Sequence, residues 1–197
     1  DGIYHAMNKG IEHSSGDIIG ILNSDDFYAD QKVLQVVNKT FTDNTVDACY
    51  GNLHYVKPER TDEIVRKWEP GKFETRSFSK GWIPPHPTFF VRRKVYNDFG
   101  KFNLNYKIAA DVDLMMRLLE VQSINAVYID KNFINMRTGG TTNKTYINIV
   151  LQNFEIIKSL RKNKIEFNFL SFFFLKLLDR FTQYKSAWLQ NRKIMTK

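Results

Sequence analysis

The chain has 197 residues, of which 43% are hydrophobic and 25% charged, and these proportions exclude an intrinsically disordered protein. Its formal net charge of +8 lies entirely in residues 158–197, which hold ten basic and two acidic residues, whereas residues 1–157 hold 19 of each. A basic surface running through the whole chain is therefore excluded. The single cysteine, Cys49, excludes an internal disulfide framework and suits a reducing compartment.

Apolar residues predict helices and short strands that alternate along the chain. A three- or four-residue apolar spacing, or a closing glycine, predicts helices around residues 3–11, 34–41, 93–99, 113–120 and 147–157. Short apolar runs predict strands at residues 17–22, 46–50, 53–56, 88–91 and 126–129, with a hairpin turn at Gly51-Asn52. This alternation predicts an α/β domain with a mainly parallel central sheet flanked by helices.

Residues 165–181 differ from the rest because Phe and Leu cover most of the predicted helix surface. Its polar positions form one narrow stripe on a helix: Asn168, Ser171, Lys176, Asp179 and Gln183. One interpretation is a helix that packs against the body. The other is an interfacial helix on an anionic membrane, with the Lys and Arg residues of 158–197 facing the headgroups. No stretch approaches the roughly 20 apolar residues that span a bilayer. Nucleic acid is not an expected partner, because the aromatic residues here lie on an apolar face.

Two adjacent carboxylates, Asp25 and Asp26, follow the apolar run at residues 18–22. In open α/β sheets, ligands bind beyond the carboxyl ends of the strands. Hard divalent cations bind there through one or two carboxylates and the phosphates of a ligand. The pair therefore indicates a metal–diphosphate site, and the alternative is an ordinary turn or helix cap.

A second acidic site lies at Asp111 and Asp113, which follow the small residues Ala109 and Ala110. An acid between small residues leaves room for an acceptor, so Asp111 is a candidate general base. The alternative is that Asp111 or Asp113 is the N-cap of the following helix.

Two loops hold further candidates. Three prolines in residues 84–87 stiffen the loop that presents Trp82 and His86, where an indole face suits a sugar. Arg137 precedes Gly139-Gly140, where the backbone can approach a ligand and the guanidinium can meet a phosphate. Each side chain could equally have a structural role.

Taken together and in this order, these segments resemble the family 2 glycosyltransferases, which are inverting enzymes of the GT-A fold. Residues 1–11 and 15–26 resemble the segment that leads into the acidic metal-binding motif of the family. Residues 84–90 and 110–114 resemble its acceptor-side segments. The resemblance covers residues 1–145, so it implies a GT-A domain there and a separate amphipathic, basic helical region at 146–197.

The resemblance implies two groups of site residues. The donor group would bind a nucleoside-diphosphate sugar, with Asp25 near the ribose and Asp26 on a Mn²⁺ or Mg²⁺ ion. Its further members would be Asn8, Lys9, Asn23 and Arg137. In the acceptor group Asp111 would deprotonate a hydroxyl of a saccharide or lipid-linked acceptor. Its further members would be Trp82, His86 and Asp113.

The chain also departs from the family pattern. Asn23 stands where the acidic motif usually begins with Asp, and the resemblance starts after the first nucleotide-binding strands. This chain alone is therefore expected to bind nucleotide sugar weakly or not at all unless those strands are restored. The expected setting is polysaccharide or glycolipid synthesis on the cytoplasmic face of the membrane. The alternatives are another metal-dependent nucleotide-diphosphate transferase or hydrolase, and an inactive fragment that binds membranes.

Overall fold

The computed structural model describes residues 2–139 and 146–195, which form six helices and six strands around one mixed sheet. The helices are α1 (Ile3–His13), α2 (Val33–Thr40), α3 (Arg93–Phe99), α4 (Ala110–Met116), α5 (Tyr146–Lys162) and α6 (Phe169–Met195). The strands are β1 (Ile18–Ile19), β2 (Phe27–Tyr28), β3 (Ala48–Val56), β4 (Ile64–Trp68), β5 (Phe90–Arg92) and β6 (Ala126–Arg137). A π-helical turn at Arg117–Val121 extends α4.

The sheet has the strand order β1-β5-β3-β6-β2, and β4 pairs with the second half of β3. Only β3 and β6 run parallel among the described strands, and the other four pairings are antiparallel. The α/β fold is as predicted, but the prediction of a mainly parallel sheet is wrong. Residues 57–63, which join β3 to β4, are too few for the helical crossover that parallel neighbours need.

The predicted hairpin at Gly51-Asn52 is also wrong, because β3 runs through both residues, although its register to β6 shifts around Asn52. A Cβ atom on Gly51 would lie 2.7 Å from the carbonyl oxygen of Lys131 and 2.7 Å from the ring of Phe133 on β6. Gly51 therefore permits a close approach of two strands and makes no turn.

The sheet separates two apolar clusters. Ala48 and Tyr50 belong to one cluster and Cys49 to the other, as expected where alternate residues of a strand point to opposite faces. The first cluster also includes Ile156 of α5 and Phe172 of α6. The predicted boundary at residues 145/146 thus falls between elements that share one core. Among the described residues, no helix is long and apolar enough to cross a membrane.

Candidate active site

The donor-side residues meet at the end of β6. β2 pairs with β6 so that Phe27 lies opposite Asn135, which places Arg137 beside the loop that carries the acidic motif. The Arg137 guanidinium donates a hydrogen bond to the carbonyl oxygen of Asp25 and lies 4.7 Å from the ring centroid of Phe27. The side-chain amide of Asn23 donates to Asp26 Oδ2 at 2.8 Å. Four of the predicted donor residues are therefore neighbours: Asn23, Asp25, Asp26 and Arg137.

Asp26 is buried, and its Oδ1 atom has no hydrogen-bond partner among the described residues. Burial raises the pKa of the Asp26 carboxyl, whereas the hydrogen bond from Asn23 lowers it. A buried carboxylate oxygen without a partner costs free energy, which a bound cation would offset. Asp25 is exposed beside it.

This arrangement fits a hard divalent cation. Mg²⁺ is usually held by one or two carboxylates together with substrate phosphates, and Mn²⁺ also prefers oxygen ligands. The described residues contain no group of three or more His, Cys, Asp or Glu side chains that could hold a metal. Oxygen atoms of a ligand would have to complete the coordination of an ion at Asp26.

The acceptor-side candidate Asp111 lies in the first turn of α4 and is partly buried. The Tyr4 hydroxyl, on α1, lies 3.0 Å from Asp111 Oδ1 and 2.7 Å from the carbonyl oxygen of Ile108. Burial and the charge of Asp111 both raise the pKa of Tyr4, so the phenol stays protonated as a donor. Ala109 occupies the N-cap position and no side chain caps α4, so neither aspartate is the predicted N-cap.

His86 lies next to this carboxylate but is itself buried. Its ring stands perpendicular to that of Phe102 at a centroid distance of 5.3 Å, and Phe102 stacks on Tyr4 at 5.5 Å. Burial lowers the pKa of His86, and the charge of Asp111 opposes this effect. A neutral imidazole is therefore favoured. In this conformation its ring packs on Phe102 beside Asp111.

Trp82 is half-buried in an aromatic group with Tyr50, Phe73 and Phe78. Its indole N–H donates to the carbonyl oxygen of Pro70 at 2.6 Å. These contacts fix the indole on the same side of the sheet as α4, since both belong to the first apolar cluster.

The structure gives two of the predicted contact residues partners within the chain. Asn8 uses both ends of its amide on the backbone of Phe102, at 2.9 and 3.0 Å, so it fixes a loop, and its role in binding a donor stays a prediction. Asp113 is fully buried, and it accepts hydrogen bonds from Arg117 at 3.0 Å and Ser159 at 2.6 Å, so it is not available to an acceptor. Lys9 is exposed on α1.

Glu155 of α5 is a site residue that the sequence did not reveal. Its carboxylate accepts hydrogen bonds from the backbone N–H groups of Lys107, Ile108 and Ala109 at 2.8, 2.9 and 2.9 Å. These residues lead directly into the turn that carries Asp111. The only signal in the sequence is the four-residue spacing from Glu155 to Ser159, which places both polar side chains on one side of α5.

Comparisons with known proteins identify related sequences and a related fold. The family described as "Glycosyl transferase family 2" matches residues 1–100, a segment that includes Asp25 and Asp26 but ends before Asp111. Two curated relatives are the uncharacterized glycosyltransferases MT1564 and Rv1514c of Mycobacterium tuberculosis strains CDC 1551 and H37Rv. Each is 31% identical over 118 residues, which cover 59% of this chain and 44% of the relative. The match thus spans less than half the length of these relatives.

A solved structure, that of S. aureus TarS residues 1–349 in complex with UDP, is similar in fold. The TM-score is 0.51 at 13% sequence identity, and the superposition covers 85% of this chain and 46% of that chain. This likeness supports a glycosyltransferase-like fold in which helices flank a curled mixed sheet.

Proposed function

The chain belongs to glycosyltransferase family 2, and on that premise we propose that it carries the site where a sugar passes from a nucleoside diphosphate to an acceptor hydroxyl with inversion. The UDP in the TarS complex supports a nucleoside-diphosphate donor as the chemical class. A saccharide or lipid-linked acceptor in polysaccharide or glycolipid synthesis is the setting we propose for it.

The observation that carries this proposal is the Asp26 carboxylate, which is buried and has one oxygen without a hydrogen-bond partner among the described residues. The Asn23 amide donates to the other oxygen, and the nearby Arg137 guanidinium places a positive charge close to the Asp26 carboxylate. A diphosphate that arrives with a cation would satisfy both the carboxylate and the guanidinium.

Asp26 would hold a Mn²⁺ or Mg²⁺ ion, with Asp25 beside it. Bound there, the ion would stabilise the negative charge that develops on the departing nucleoside diphosphate. The protein contributes the burial of Asp26 and the Asn23 amide that orients it.

Asp111 would accept the proton of the acceptor hydroxyl. Tyr4 donates to one oxygen of this carboxylate, and we assign the other oxygen to the acceptor. Glu155 holds the backbone that precedes the base. Attack by a hydroxyl on the face opposite the leaving group inverts the anomeric centre in a single displacement.

The test compares Asp111→Asn with a matched control, Asp98→Asn, in the protein as its gene encodes it. Asp98 is an exposed carboxylate on α3. We expect Asp111→Asn to slow sugar transfer by at least about 100-fold and the control to transfer normally, because a positioned base contributes about this much. Nuclear magnetic resonance of the product gives the anomeric configuration.

Two outcomes would contradict the proposal. A product that keeps the anomeric configuration of the donor would exclude a single displacement. Unchanged turnover of the donor by Asp111→Asn, with water as the acceptor, would instead favour a metal-dependent hydrolase that needs no acceptor base.

A further inference from the structure

Some polar side chains of α6 face the body of the protein. Lys176 Nζ donates to Asn153 Oδ1 on α5 at 2.6 Å, and Asn191 Nδ2 donates to the carbonyl oxygen of Ile64 on β4 at 2.7 Å. Gln183, between them, is buried. Burial lowers the pKa of Lys176 to about 8. Two members of the polar stripe, Lys176 and Gln183, therefore lie on the packing side of the helix, whereas its other members are exposed: Asn168, Ser171 and Asp179.

The opposite side of α6 is apolar and exposed. Leu170, Phe174, Leu177 and Phe181 follow one another at spacings of four, three and four residues, so they share one helix face. Their exposed fractions are 78%, 65%, 69% and 66%. A helix on a protein surface in water usually has a polar outer face, whereas α6 is apolar on this side as well as at Phe172 and Ala187, which are buried against the body.

α5 also exposes apolar residues. Ile147, Val150 and Phe154 are exposed, at spacings of three and four residues on one face. The hydrogen bond between Lys176 and Asn153 joins α5 to α6 at one point. We call these exposed residues of the two helices the apolar helix face: Ile147, Val150, Phe154, Leu170, Phe174, Leu177 and Phe181.

The charges around the apolar helix face select its partner. Residues 158–197 hold ten basic and two acidic residues. Lys158, Lys162, Lys164 and Lys185 are exposed on α5, on α6 and between them. A second copy of the chain would bring two such positive surfaces together, which is unfavourable. Anionic headgroups attract these residues while the acyl boundary takes up the Phe and Leu side chains.

We propose that the apolar helix face docks on the surface of an anionic lipid bilayer, with α5 and α6 lying in the interface. The exposed lysines then face the headgroups, while Lys176 and Asn191 stay bonded to α5 and β4. Shallow insertion agrees with the finding that no described helix is long and apolar enough to span a membrane.

The test is vesicle flotation of the whole chain without donor, metal or acceptor, so its result is independent of sugar transfer. The vesicles are phosphatidylcholine alone, or phosphatidylcholine with about one third phosphatidylglycerol. We expect binding only to the anionic vesicles. Replacing Leu170, Phe174, Leu177 and Phe181 together by Gln should lower the bound fraction at least about fivefold.

Matched controls separate this surface from exposed apolar residues in general. Leu34→Gln with Leu104→Gln removes two exposed leucines on other elements and should leave flotation unchanged. Lys158→Glu with Lys162→Glu keeps the apolar helix face and should weaken binding to anionic vesicles. The double lysine variant still tests membrane binding if the fourfold variant does not fold. Circular dichroism would show whether the fourfold variant is folded.

Three results would overturn the proposal. The first is a native chain that does not float with anionic vesicles. The second is a folded fourfold variant that floats as well as the native chain. The third is a dimer, detected by light scattering, that the fourfold variant loses while vesicle binding is absent, because the apolar helix face would then join two copies.

Discussion

Replacing Glu155 by Gln tests whether α5 holds the backbone in front of Asp111. In the native chain Oε2 accepts from the N–H groups of Ile108 and Ala109, and Oε1 accepts from Lys107. A Gln side chain has one carbonyl oxygen, which can keep the first two hydrogen bonds. Its NH₂ group would face the N–H of Lys107, so two donors would meet.

The expected cost is about 2 kcal/mol. Hydrogen bonds to a charged group contribute roughly 1.5–3 kcal/mol each and neutral ones roughly 0.5–1.5. The Gln variant loses one hydrogen bond at an exposed position, worth about 1 kcal/mol, and weakens two others by about 0.5 kcal/mol each. Since 1.4 kcal/mol is a factor of ten, opening of this loop should become about 30-fold more frequent.

Two measurements check this result. Urea unfolding gives the change in the free energy of unfolding, and hydrogen exchange at the amides of residues 107–109 gives the frequency of loop opening. The control is Glu166→Gln, because the Glu166 side chain is 90% exposed and its ion pair with Arg76, at 3.7 Å, lies on the surface. That variant should change stability by less than about 0.5 kcal/mol. If Glu155→Gln matches the control in both measurements, α5 does not position this loop.

Three further predictions concern stability and the site. Burial lowers the pKa of His54 from 6.5 to about 4, so its contribution to stability is complete above pH 6.5 and lost as the pH falls toward 4. The loss approaches about 1.4 kcal/mol per pH unit, and His54→Gln should flatten it in urea titrations at several pH values. Gly81→Ala should destabilise the chain by at least about 1 kcal/mol more than Gly71→Ala. Both glycines have a positive φ, but a Cβ atom on Gly81 would lie 3.0 Å from the carbonyl oxygen of Phe172, whereas one on Gly71 would meet nothing within 4 Å. Tyr4→Phe should cost about 1–2 kcal/mol and also slow sugar transfer, and a destabilised variant with native transfer would remove Tyr4 from the site.

Local patterns were sufficient where one segment alone determines the structure. The helices α1, α2, α3 and α5 lie close to their predicted positions, because the apolar spacing or a closing glycine is local. Strand direction is not local, so it was mispredicted. Gly51-Asn52 is a residue pair typical of turns, but the conformation of Gly51 is set by its contacts with β6, about 80 residues further along the chain.

The same limit applies to the site. Asn23, Asp25 and Asp26 are close in sequence, and their grouping with Arg137 follows from the pairing of β2 with β6. Asn8 was assigned to the donor group from the family resemblance alone, and its partners in the structure are distant in sequence.

The residue that needs the Asn8 amide, Phe102, is 94 positions away. The partners of Glu155 are 46 to 48 positions away. For α6, the sequence left a helix packed on the body and an interfacial helix on a membrane as alternatives. The structure shows one side buried and the other exposed, and membrane binding stays a proposal.

The central proposal is that Asp26 holds the metal and the donor while Asp111 acts only on the acceptor. Mn²⁺-dependent binding of UDP tests it most directly. The measurement is calorimetric titration of the protein as its gene encodes it, carrying Asp26→Asn or Asp111→Asn. The proposal predicts that Asp26→Asn abolishes the Mn²⁺-dependent part of UDP binding and that Asp111→Asn leaves it unchanged. If the Asp26→Asn variant bound UDP with the same Mn²⁺ dependence as the native protein, the proposal would be contradicted, because the buried carboxylate would then have no part in holding the donor.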